Sequence, residues 1–113
     1  MTVETPETPV LDTLTDIVAV SADHNTLSPR DFMLARIAAL IAVDAPPASY
    51  LANADAAEKT GVTADDIQGI MIAVAPVVGT PRVVSAGGKI LRALGLAIAV
   101  EDAALEADDD DDD

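Results

Sequence analysis

Apolar residues recur at Val10, Leu11, Leu14, Ile17, Val18 and Val20, a spacing that lines one face of a helix. The pattern predicts a first helix over Pro9–Ala22, broken by the polar run SADHNT at 21–26, which places His24 in a loop. A stronger signal follows. Ser28-Pro29-Arg30-Asp31 sets a capping hydroxyl, a proline in the first turn and a carboxylate three residues after the cap. Behind it, Phe32, Met33, Ile37, Leu40 and Ile41 alternate with alanines, so this helix is apolar on most sides and belongs in the core.

Asp44 is read as the cap of a third helix, with Pro46-Pro47 at its first turn, Tyr50, Leu51, Ala54 and Ala57 along it, and Gly61 as its left-handed stop. Thr63-Ala64-Asp65-Asp66 is a second capping box, opening a helix with Ile67, Ile70, Met71 and Val74 on one stripe and Pro76 near its end. Thr80-Pro81 opens a last helix, interrupted by Gly87-Gly88 and carried on by Leu91, Leu94, Leu96 and Ile98. No stretch alternates with period two. The expected fold is all-α, a bundle of about five helices. Residues 1–8 read as a disordered lead-in, 9–100 as one helical domain and 101–113 as an acidic tail.

Composition sharpens this picture. The chain has 113 residues and is 50% hydrophobic but only 2% aromatic, so its core is built from Ala, Val, Leu and Ile. That leaves apolar surface to spare, as a self-assembling protein would have. The net charge of −14 lies at the ends. From 26 to 100 the basic residues Arg30, Arg36, Lys59, Arg82, Lys89 and Arg92 are matched by Asp31, Asp44, Asp55, Glu58, Asp65 and Asp66. A neutral body with acidic ends offers no basic face for nucleic acid. The tail suits either of two roles, keeping an apolar oligomer soluble or docking on a basic partner.

Candidate chemistry is sparse. The chain has no cysteine, which removes thiol nucleophiles, disulfides and thiolate metal sites, and its single histidine has no second ligand in sight. No metal or cofactor is expected. SAGGKI at 85–90 lacks the flanking Gly and Ser or Thr of a phosphate loop, since Val83 and Ile90 stand there; its glycines suit a close helix approach. The opening MTVETPETPV is acidic and polar where a secretory leader is basic and then apolar, and no apolar run is long enough to span a membrane. A cytoplasmic location is the expectation. Ser49, Tyr50 and Asn53 at the entrance of the third helix, with Arg36 for charge, are the candidates for holding a small ligand.

The order of these signals, a proline-initiated apolar helix, then EKTGVTADDIQGI, then VVGTPRVV, resembles the carboxymuconolactone decarboxylase family, which includes the AhpD-like alkylhydroperoxidases. The resemblance implies an all-helical fold and assembly as a trimer or hexamer. It also implies where chemistry would sit. The redox branch carries Cys-x-x-Cys-x-x-x-His eight residues before the helix-ending glycine, which falls on Pro46, Ser49 and Asn53 here. Its glutamate position falls on Leu34, and the histidine found in some decarboxylases falls on Ala73. A thiol cycle needs an ionisable thiol and a resolving partner. The resemblance therefore points to a non-peroxidase homo-oligomer with a structural or ligand-binding role, or alternatively to a decarboxylase or lactone-type lyase acting on a small carboxylated substrate through Arg36, Ser49, Tyr50 and Asn53.

Overall fold

The computed structural model describes residues 8–94. The lead-in apart from Thr8, the end of the last helix and the acidic tail lie outside the described residues. Four helices run in order as α1 (Pro9–His24), α2 (Pro29–Ala42), α3 (Pro47–Lys59) and α4 (Ala64–Val78), and a fifth, α5, occupies 80–94. The fold is all-α, with no strand among the described residues.

The helix starts are written in side chains. Ser28 Oγ accepts from the Asp31 amide, and Thr63 and Asp66 form a reciprocal capping box. Pro47 takes the first position of α3, behind Pro46 as its N-cap. Two of the helix ends are Schellman motifs. At the end of α3, Gly61 sits at φ +88°, its amide donates to the Glu58 carbonyl, and the Val62 amide reaches back to Ala57. At the end of α2 the same pair of bonds runs from Asp44 to Ile41 and from Ala45 to Leu40, with Asp44 at φ +56°. Asp44 is thus not the cap of α3. It fills the left-handed position that usually takes glycine, because the chain must reverse before Pro46 can start the next helix. His24 likewise lies in the last turn of α1 and not in a loop. The stop comes one residue later, where the Asn25 side chain bonds both the amide and the carbonyl of Leu27. Pro76 remains inside α4, two residues before its end.

α2 is the central element, packed by both α3 and α4. It buries Met33, Ile37 and Ile41, and the two isoleucines join one core cluster with Ala45, Tyr50 of α3, Ile70 of α4, and Ala86 and Ala93 of α5. Three alanines stand among its isoleucines and Tyr50, so α5 can approach closely. Gly87 shows how closely: a β-carbon there would stand 3.4 Å from the Met71 methyl. α1 is different. It packs on none of α2, α3 or α4, and not one of its 16 residues is buried.

Candidate functional site

The entrance of α3 is built by backbone constraint. Pro46 and Pro47 fix the first turn, the Ser49 amide donates to the Pro46 carbonyl at 3.0 Å, and Asn53 Nδ2 donates to the Ser49 carbonyl at 2.8 Å. The Asn53 amide is therefore engaged with its own helix. Arg36 on α2 lays its guanidinium 4.4 Å from the centre of the Phe32 ring one turn earlier, a cation–π contact, and forms no ion pair among the described residues. Tyr50 points into the core, 7% exposed, among Ile37, Ile41 and Ile70. Its hydroxyl is buried and has no hydrogen-bond partner among the described residues. Of the four candidates, a hydrogen bond joins only Asn53 and Ser49. Leu34, at the glutamate position, packs against the core, while Ala73 is exposed.

The structure places a second polar group beside this entrance. Asp44 Oδ1 accepts from Ser85 Oγ and from Lys89 Nζ, each at 2.8 Å. Arg82 Nη1 donates to the Ala42 carbonyl at 3.1 Å. Arg82, Ser85 and Lys89 stand at i, i+3 and i+7, so one face of α5 grips the C-terminal end of α2, where free carbonyls and the helix dipole favour cations. The Lys89 and Ser85 hydrogen bonds hold the Asp44 carboxyl below its usual range. Burial, and secondarily the Asp44 charge, push the Tyr50 phenol above its ordinary value. The phenol and this clasp are thus electrostatic neighbours. Sequence reasoning missed the clasp because it read Asp44 as a cap and SAGGKI as a rejected phosphate loop whose glycines suit helix packing. The available signal was the i, i+3, i+7 spacing of Arg82, Ser85 and Lys89 along α5.

An open cleft of about 360 Å³ lies elsewhere, between the end of α1 and α2–α3, lined by residues including Ala22, Asn25, Phe32, Met33 and Thr60. Among the described residues no group of acidic or histidine side chains could hold a metal ion. No helix there is long and apolar enough to cross a membrane.

With this geometry in view, comparison with known proteins is informative at one level. The sequence profile of the carboxymuconolactone decarboxylase family matches residues 9–93, from the first residue of α1 almost to the end of described α5. The chain belongs to the carboxymuconolactone decarboxylase family. No match was found among curated proteins or among solved structures. Family membership accounts for the helical fold, and the absence of cysteine marks this chain as lacking the paired-thiol motif of the redox branch.

Proposed function

We propose that this chain is a non-peroxidase member of the family that works as a homo-oligomer, trimer or hexamer, in a structural or small-ligand-binding role. The reading rests on the entrance of α3. Where the resemblance would set two thiols and an imidazole, the chain has Pro46 as an N-cap, Ser49 with its carbonyl already accepting, and Asn53 with its amide already donating. None of these ionises near neutrality, so no thiolate attacks a peroxide and no second thiol resolves the product. The test is peroxide consumption with a dithiol donor. A rate equal to the no-protein blank is expected, and turnover above it overturns the proposal. Native mass spectrometry checks the assembly, with a monomer as the contrary result.

A second reading, a lyase acting on a small carboxylated substrate, is favoured by one observation, a Tyr50 hydroxyl that has no partner among the described residues and that feels the charge of Asp44. A phenol without a partner is free to donate to a ligand. A reproducible small-molecule adduct on the purified protein, lost in Tyr50→Phe, supports this reading. Adduct-free protein, with no carboxylate-dependent shift in melting, counts against it.

A further inference from the structure

Among the described residues, α1 and α5 each leave an apolar face without a partner, and α4 exposes Ile72 and Val77. On α1, Val10, Leu14 and Ile17 fall on adjacent turns with Leu11 and Val18 beside them, while Asp12, Asp16 and Asp23 occupy the opposite side. Those five apolar side chains are between 48% and 69% exposed. On α5, Val84 and Leu91 are each 69% exposed, and Gly88 lies between them on the same face, at i+4 and i+7 spacing. A β-carbon added at Gly88 would meet nothing within 4 Å, unlike one at Gly87, which would touch Met71. Internal packing therefore explains Gly87 and leaves Gly88 unexplained. A glycine between two exposed apolar residues forms a notch in which a second helix can lie close.

We propose that α1 of one copy docks in the Val84–Gly88–Leu91 notch of a second copy, each copy giving a helix and receiving one. This rests on the self-assembly reading above and names its contact. The occupant is set by area. The α1 patch is on the order of 500 Å², the size at which an uncovered apolar surface marks an interaction site. Two α1 helices paired face to face would bury about 1,000 Å² in all, at the lower limit for a lasting interface. That arrangement would also leave the α5 notch open. Exchange of α1 onto α5 covers both kinds of patch in each copy and so takes more apolar surface out of water than α1 pairing does. The α1 aspartates then stay on the outer, solvated side, and Arg92 flanks the notch at i+4 from Gly88.

The chain has no cysteine, so introduced ones report alone. Leu14→Cys and Gly88→Cys chains are purified separately, mixed, allowed to exchange subunits and oxidised. Both sites are on exposed surface, so neither substitution threatens the fold. The expected result is a mixed disulfide dimer several-fold more abundant than dimers from either chain alone. Dominant Leu14→Cys self-dimers would replace the proposal with α1–α1 pairing. A double variant that closes within one chain would replace it with docking of α1 on its own body. An intact oligomer on native mass spectrometry with no mixed dimer sinks this contact but leaves the assembly reading standing. A monomer at all concentrations sinks both.

Discussion

Replacing Tyr50 by phenylalanine removes one oxygen and nothing else from the core. In most proteins that change weakens a buried hydrogen bond, but here the hydroxyl has no partner to lose among the described residues. A buried polar group without a hydrogen bond costs about 1–3 kcal/mol relative to water. The ring stays in place against Ile37, Ile41 and Ile70, so the apolar contribution is unchanged. Tyr50→Phe is therefore expected to stabilise the protein, by about 1 kcal/mol, which corresponds to a Tm rise of about 4–8 °C in a domain of 60–100 residues. Urea unfolding at fixed protein concentration is the assay, because assembly makes stability depend on concentration. The midpoint should rise with the slope unchanged.

The pH dependence supplies an internal check. The phenol's pKa is raised in the folded protein above its ordinary value of 10.0, so the folded state holds that proton more tightly. The associated stability is fully present below pH 10 and is lost as pH rises through the folded value. Wild type should thus weaken on the alkaline side through Tyr50, and Tyr50→Phe should lack that part of the loss. If Tyr50→Phe instead lowers stability by about 1 kcal/mol, the usual worth of a satisfied hydrogen bond, the hydroxyl has a partner and the argument fails. A stabilised variant that also loses a bound small molecule would connect the strain to ligand binding.

Other perturbations follow from the same geometry. Ile41 is fully buried at the centre of the core, so Ile41→Ala should cost about 2–5 kcal/mol by chemical denaturation. Gly61→Ala should cost about 1 kcal/mol or more, since open space surrounds the site and only the left-handed backbone resists a side chain. Gly87→Ala presses a β-carbon against the flexible end of Met71. If that methyl yields, the gain in helix propensity wins and stability rises by up to about 1 kcal/mol, read from the same melts. Asp44 and Asp66 have folded pKa values below the ordinary 3.8, Asp44 through Lys89 and Ser85, and Asp66 chiefly through the Thr63 amide. Their contribution is present above pH 3.8 and lost as pH falls through the folded values, so Asp44→Asn and Asp66→Asn should each flatten the acid limb of a stability–pH curve.

Most of the fold was legible because its boundaries are written in local chemistry. Ser28, Thr63 and Gly61 each act at the position their side chain or lack of one dictates, and the stripe of Ile67, Ile70, Met71 and Val74 faces α2 as its spacing requires. Asp44 was misread because a carboxylate before two prolines looks like a cap. Only the long-range contacts to Ser85 and Lys89, 41 and 45 residues away, reveal why an L-residue sits where glycine is easier. The α1 stripe was legible as a helix, but a single sequence does not say which surface an amphipathic face meets. The same limit applies to the site: Ser49, Tyr50 and Asn53 are adjacent in sequence, yet helix geometry turns Tyr50 inward and ties Asn53 back to Ser49.

The contrast between the two Schellman motifs connects the clasp to the outer surface of α5. Gly61 ends α3 with no side chain and meets nothing, whereas Asp44 ends α2 at a conformational disadvantage and uses its carboxylate to hold α5. That grip fixes how α5 is rotated. Ser85 and Lys89 are drawn toward Asp44, Ala86 and Ala93 turn into the core, and Val84, Gly88 and Leu91 are left facing outward. Glycine at Asp44 would relax the backbone but release Ser85 and Lys89 together, leaving α5 held by its buried alanines, the packing of Ile90 and the Arg82 bond to Ala42. Asparagine keeps the tolerance for the left-handed turn and loses only the charge. If rotation of α5 matters for assembly, Asp44→Gly should disturb the oligomer more than Asp44→Asn, even where its monomer fold is no less stable. Equal effects of the two on assembly would mean that the clasp holds the fold alone and the outer face is set by packing.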